Sequence, residues 1–282
     1  MKHKKRNIIL ILVFLISLIT LFWYSFVFEP NNIQVEKINI KIENLPEEFE
    51  GTKIVHLTDF HSKNFGEREK KVLEILDDIN PDFVFITGDF IDHKTKDIDS
   101  CQEFWRELGN KYQGKIFGVL GNHEYWNNDA GSEFLKSLLN ESGVVVLDNK
   151  NEKIFQGDEY IYLIGVGDPH TGNDNLEKAV TGVEKDIPKI LLAHSPDIVN
   201  NSEDIEKEKV DLILVGHTHG GQVKIPFLRP FWTPTENRGK YASGLFEIND
   251  TYLYVNRGIG TTVLPIRFNC SLEVTMIELR KK

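Results

Sequence analysis

Cysteine is nearly missing from this chain of 282 residues: Cys101 and Cys270 are the only two. They lie far apart, so no disulfide framework organises the fold. Two separately buried thiols are the expected arrangement, and pairing between them is not readable from sequence alone. No internal repeat and no low-complexity tract occurs, which excludes a repeat array. Positive charge is also short beyond the N-terminus. Lys2, Lys4, Lys5 and Arg6 contribute +4 to a formal net charge of −10, which leaves −14 for everything after them. An acidic body with no long basic stripe repels a nucleic-acid backbone, so dedicated nucleic-acid binding is not expected.

One stretch lacks charge altogether. Residues 8–28 are apolar apart from Ser17, Thr20, Tyr24 and Ser25, and about 20 such residues suffice for a helix to cross a bilayer. The run is longer than a cleavable signal core, and no small-x-small cleavage site follows Phe22-Trp23-Tyr24, so an uncleaved signal anchor is expected rather than a cleaved peptide. The basic residues 1–7 then stay cytoplasmic and the body lies outside, with Trp23 and Tyr24 in the outer aromatic belt. A polar linker is expected over 29–36 and the catalytic body over 37–282.

The body alternates strand and helix. Strands are expected at 37–42, 53–58, 82–87, 115–120, 144–147, 160–166, 189–193 and 211–215, with helices at 67–79, 131–140 and about 196–208, then three closing strands near 244–248, 251–256 and 272–279. Apolar runs with helical or alternating spacing carry these assignments. The strands share a second property: most end in oxygen or imidazole donors. The first long one runs into Asp59-Phe60-His61, the next into Gly88-Asp89 with Asp92 beyond, then Gly121-Asn122-His123-Glu124, then His194, then Gly216-His217-Thr218-His219. On an extended backbone residues i and i+2 share a face, so His217 and His219 are expected to address one small volume. Gly220 and Gly221 are expected to allow close backbone approach. His56 lies deeper on its strand and is expected to be a hydrogen-bonded core histidine. Asp168 and His170 either reach the site or open a turn at Asp168-Pro169.

In α/β sheets, ligands bind beyond the carboxyl ends of the strands, so this series of strand ends reads as one site. Mixed carboxylate, amide and imidazole donors suit Mn, Fe or Zn better than Ca or Mg. They outnumber the needs of one ion, whereas two ions sharing a carboxylate would use them all, the arrangement that phosphate-ester hydrolysis favours.

As a set, Asp59-x-His61, Gly88-Asp89, Gly121-Asn122-His123-Glu124, His194 and Gly216-His217-Thr218-His219 resemble the calcineurin-like metallophosphoesterases, in order, from about Ile54 to the C-terminus. Gly220-Gly221-Gln222 and Asn256-Arg257-Gly258-Ile259-Gly260 look most like a membrane-associated bacterial branch. Asn269-Cys270-Ser271-Leu272 departs from the proline-containing stretch associated with that branch. The resemblance implies a four-layer αββα sandwich, here preceded by one transmembrane helix. It implies that Asp59, His61 and His219 bind one divalent metal, that Asn122, His194 and His217 bind a second, and that Asp89 bridges. His123 is then free to protonate the leaving group, with Glu124 either orienting it or facing solvent. Arg257 either clamps a phosphate or braces a turn.

The function expected is a membrane-anchored phosphoesterase acting on phosphodiesters or lipid- or envelope-linked phosphates. The alternatives are an inactive metal-binding scaffold on the same fold, or a nuclease. Residues 220–268 carry six cations against three acids. Phe227, Phe231 and Trp232 within them are either a satellite core or an apolar lip for lipid or substrate.

Overall fold

The computed structural model describes residues 2–127, 131–226, 228, 230, 232–236 and 239–282. Strands β1 (Ile33–Ile42), β2 (Lys53–Leu57), β3 (Phe83–Thr87), β4 (Ile116–Val119) and β5 (Val145–Val146) lie in one sheet. Strands β6 (Lys150–Gln156), β7 (Glu159–Gly165), β8 (Lys189–Leu192), β9 (Leu212–Val215), β10 (Gly244–Ile248) and β11 (Thr251–Val255) form another. The last strand, β12 (Leu272–Lys281), returns to the first sheet, giving the orders β1-β12-β2-β3-β4-β5 and β10-β11-β9-β8-β7-β6. Within them β2 to β5 are mutually parallel, as are β7, β8, β9 and β11; β12 runs antiparallel to β2.

Alternation of side chains across each strand builds three apolar layers. Ile54, Phe85 and Phe117 of the first sheet face Leu163, Leu192 and Leu214 of the second. On the outer side of the first sheet, Val55, Val84 and Ile86 pack under the long helices. Apart from α1 (Lys2–Trp23), which takes no part in this packing, they are α2 (Glu67–Ile79) and α3 (Ile98–Lys111), whose Val72, Leu76, Phe104 and Trp105 complete the layer. After the short α4 (Asn122–Tyr125), α5 (Ser132–Glu141) adds Leu139. The second sheet is covered by α6 (Leu176–Ala179), α7 (Ser202–Lys207) and the turn Pro196–Asn201 through Leu176, Ala179, Ile198 and Ile205. The result is the expected four-layer αββα sandwich.

Several expectations shift. The helix expected at 196–208 is a 3-10 stretch, Pro196–Asn201, followed by α7. Strand β6 and helix α3 are additional elements. Cys101 and Cys270 are separately buried free thiols.

Helix α1 is exposed along its apolar length and passes through a wider turn, Tyr24–Phe28, and a tighter one, Glu29–Asn31. Residues His3–Asn31 are long and apolar enough to cross a membrane. The segment after the span is no free linker. The Glu29 carboxylate is buried and accepts from Cys270 N at 2.8 Å and Ser271 Oγ at 3.1 Å, and β1 already begins at Ile33.

Candidate metal centre

The parallel strands end together, and the chain turns sharply at each end. Asp59, His61, Asp89, His217 and His219 all have φ between 45° and 68°. The i, i+2 pairs therefore lie in left-handed turns rather than on extended backbone. Left-handed non-glycine residues cost free energy and gather at functional sites. The turn also separates the two histidines: His217 points toward His194 and His219 toward His61. Close approach is secured at Gly216, where a Cβ would collide with the Thr58 hydroxyl and the Asp59 carboxylate, and at Gly121, where it would meet Asp89. Gly220 and Gly221 instead pack against Cys270 and Pro230.

Two buried groups of donors result. One comprises Asp59, His61 and His219; the other comprises Asp89, His194 and His217. His61 Nε2 lies 3.0 Å from His219 Nε2, and His217 Nδ1 lies 3.1 Å from His194 Nε2, which is itself 3.0 Å from Asn122 Oδ1. Asp89 sits between the groups, its Oδ2 3.5 Å from His61 Nε2 and 3.3 Å from His194 Nε2. The outer ring nitrogens of the second group are committed to carbonyls: His194 Nδ1 lies 2.7 Å from Thr87 O, and His217 Nε2 lies 2.8 Å from Pro234 O. Donation to those carbonyls fixes the tautomers and turns the inner nitrogens toward one another, as outer partners do around metal-ligating histidines.

The electrostatics fit a cation. Burial holds His61 down to about 3 and holds His217 and His219 well below the ordinary imidazole value, so these rings are neutral donors. Burial opposes charge on His194 too, but Asp89 beside it, helped by Asp59 and Asp168, pulls it well above the ordinary value. Burial likewise works against an ionised Asp89, and His194, His123 and His61 outweigh it. A metal bound there would displace any proton on His194. Burial, with Asp89 nearby, pushes Asp59 up to about 7 against the pull of His194. Facing imidazole nitrogens with so little proton between them are the donor set that a divalent ion satisfies.

The other candidates divide. His123 lies over this pair of groups, its ring 4.4 Å from that of His61, and its backbone N–H donates to Asp89 Oδ1 at 2.9 Å. Asp92 joins His61 and His123 in a third, looser group. Glu124 neither orients His123 nor faces solvent. It is fully buried and accepts backbone N–H groups from Asp89 (3.0 Å), Ile91 (3.2 Å) and Gly121 (2.8 Å), tying the β3 and β4 turns together. Burial and then Asp89 push its carboxyl up to about 8 against those donors. Asp168 is a turn cap, accepting from His170 N and Thr171 N, while the His170 ring reaches within 4.7 Å of His217. Arg257 braces structure: it pairs with Glu36 at 2.7 Å and Glu273 at 2.5 Å. His56 is a core histidine bonded to Thr87 Oγ1 at 2.8 Å.

Above the donors opens a cleft of about 910 Å³ with Asp89, Asn122, His123, His217 and His219 among its lining residues. Its walls include Trp126, Trp232, Val263 and Leu264, and the lysines Lys63, Lys94 and Lys96. Phe227 and Phe231 of the expected lip lie outside the described residues. Trp232 is exposed, as a lip requires.

Three participants escaped the motif reading. His93 donates its backbone N–H to His123 Nδ1 at 3.1 Å, and its own ring nitrogen is equally close. Its position beside Asp92 at a strand end was the available signal. Trp126 packs at the rim between His123, whose ring is tilted against it, and His170, which it meets edge-on. Arg267, fully buried, donates to Arg257 O at 2.7 Å and Gly260 O at 2.6 Å behind His219, contacts that no local pattern announces.

The calcineurin-like phosphoesterase profile matches residues 52–221, which contain every donor named above. This chain belongs to the calcineurin-like phosphoesterase family. The phosphoesterase is 32% identical to the uncharacterized metallophosphoesterase YkuE of Bacillus subtilis, over 91% of this chain and 89% of that one. It is 28% identical to the phosphodiesterase YaeI of Escherichia coli, over 80% and 82%. A Danio rerio transmembrane protein with a metallophosphoesterase domain is 30% identical over 88% of this chain and 57% of its own length. These relatives place the phosphoesterase in the bacterial branch that the sequence resembles. A Thermus thermophilus sulfate thiohydrolase, SoxB, superposes with a TM-score of 0.50 at 13% identity over 77% of this chain and 53% of that one, a likeness of fold.

Proposed function

We propose that the chain is a membrane-anchored, two-metal hydrolase of phosphate esters, phosphodiesters or lipid- or envelope-linked phosphates among them. The observation that carries this is Asp89, lying between two groups of buried, inward-facing donors. Asp59, His61 and His219 would hold one ion, and Asn122, His194 and His217 the other, with Asp89 shared. Mn, Fe or Zn fits this mixed set. When bound, such ions supply charge that acidifies water and neutralises phosphoryl oxygens. The chain's own residues do the rest. Thr87 O and Pro234 O orient two imidazoles. The His93 N–H faces His123 Nδ1, so the neutral ring carries its proton on Nε2 and would hydrogen-bond a departing ester oxygen there; as the imidazolium, His123 would protonate that oxygen as general acid. Trp126, Trp232 and the lysine-bearing wall select what enters.

Residues 1–7 then form a cytoplasmic tail and α1 the anchor, with the body outside the membrane by the positive-inside rule. YaeI is named a phosphodiesterase and the Danio rerio relative a transmembrane protein, and both names agree with this reading. The buried Glu29 carboxylate, which accepts from Cys270 N and Ser271 Oγ, supports counting the residues from Glu29 onward with the catalytic body.

The test is the full chain in detergent, assayed with manganese against a synthetic phosphodiester and a phosphomonoester, beside His123→Ala. Metal-dependent hydrolysis that collapses in the variant is expected. Absence of hydrolysis with manganese, iron or zinc would favour the scaffold; unchanged hydrolysis in the variant would remove His123 from its role.

A further inference from the structure

The loop 261–265 forms one wall of the cleft and, among the described residues, carries the most exposed large apolar side chain outside α1. Val263 is 86% exposed and Leu264 57% exposed. Val263 also has φ +60° and is the centre of a turn in which Leu264 N donates to Thr262 O at 2.6 Å. This tight turn with positive φ is rare, and for a β-branched residue it is strained. Glycine or asparagine would suit such a tip in water, and among the described residues nothing covers the valine that stands there.

The tip is held rigidly. Gln222, the last residue of the histidine motif, clips it from both sides: its Oε1 accepts from Thr262 N at 2.9 Å, and its Nε2 donates to Thr262 O at 3.0 Å. At the base of the loop Phe268 pairs with Val223. The same base is joined to the end of the apolar helix. Arg267 N donates to Ser25 O at 3.0 Å, and the Phe268 ring meets Tyr24 edge-on at 5.8 Å. Leu264 is three Cα steps from Arg267, at most about 11 Å away. The polar interface of a bilayer is only about 5–7 Å deep on each face, so a tip tethered so near the end of the span lies within reach of the lipid surface.

We propose that Val263 and Leu264 insert into the outer face of the bilayer that α1 spans, a second contact that seats the wall of the cleft on the phospholipid surface. This rests on the membrane-anchored reading above. The bilayer is the occupant because the exposed tip continues, through Arg267 and Phe268, from the end of the membrane helix. Burial in lipid would also offset the strain at Val263. The cleft then opens beside the headgroup layer, and amphiphilic phosphate esters enter from it sideways.

The test uses the full chain in vesicles of phosphatidylcholine and phosphatidylglycerol. An environment-sensitive fluorophore is attached in turn at Val263→Cys, Leu264→Cys, Lys96→Cys and Phe14→Cys; the native Cys101 and Cys270 are buried and stay unlabelled. Blue-shifted emission, quenching by lipid spin-labelled near the headgroup and protection from aqueous iodide are expected at 263 and 264, with iodide access at 96 and lipid quenching at 14. Iodide access at both 263 and 264 with lipid quenching at 14 would overturn the second contact while leaving the anchor. Iodide access at 14 as well would overturn both.

Discussion

The floor of the cleft and its wall are built on opposite terms. At the floor every donor is buried, five sit in left-handed turns, and the neighbouring backbone is so close that Gly216 and Gly121 admit no side chain. At the wall, Trp126, Trp232, Val263 and Leu264 are exposed and lie on irregular backbone. A floor so constrained suits one chemistry; on the proposed reading, a wall of apolar and basic side chains would govern which ester reaches it. Changes at the floor should therefore cost rate on every substrate, and changes at the wall should alter preference.

The largest effect tests the floor. His123→Ala should lower kcat by about 10²–10⁴-fold, the range for a lost general acid, on soluble and amphiphilic esters alike, while metal content measured by mass spectrometry stays unchanged. A loss confined to one substrate would move His123 to the wall. Glu124 comes next. Glu124→Ala strands three buried N–H groups at about 1–3 kcal/mol each, lowering both thermal stability and metal affinity. Glu124→Gln keeps one acceptor oxygen and should fall between wild type and Glu124→Ala. Equal effects of the two substitutions would show that the carboxylate does not hold the β3 and β4 turns.

A third prediction concerns protons beneath the floor. Burial lowers His56 and His61 to about 3 from an ordinary 6.5. The unfolded chain therefore binds these two histidine protons between those values, so the contribution of His56 and His61 to stability is complete above about 6.5 and is lost as pH falls toward 3, while the raised carboxyls of Asp59 and Glu124 act in the opposite sense. Thermal unfolding of the metal-free chain in detergent should isolate the His56 share: the stability of the wild type relative to His56→Asn should fall as pH drops through this window. The smallest effect belongs to the wall: Trp126→Ser should shift the ratio of kcat/KM for amphiphilic over soluble esters by about tenfold or less, in line with partial exposure of one aromatic side chain, with kcat on the soluble ester nearly constant.

Much of the floor was legible because its signal is local. Apolar strands running into Asp59, Asp89, Asn122, His194 and His217 announce both the parallel strands and the direction of the donors. The geometry was less so: His217 and His219 read as one extended face, yet the left-handed turn sends them to different groups. Local polarity hid β6, whose Lys150, Glu152 and Lys153 are those of an exposed edge strand. Helix α3 carried its signal openly in Cys101, Phe104, Trp105 and Leu108 at helical spacing. The contacts that join the helix to the body were illegible for a different reason. Glu29 meets Cys270 across 241 positions, and Arg267 reaches the carbonyls behind His219 only once both sheets are assembled.

The central claim is that Asp89 is shared by two ions. It is tested most directly by titrating the metal-free full chain with manganese and counting bound equivalents by mass spectrometry. Two equivalents per chain are expected, with Asp89→Ala weakening both and abolishing hydrolysis. A single equivalent in the wild type, or two that survive Asp89→Ala with hydrolysis intact, would contradict it.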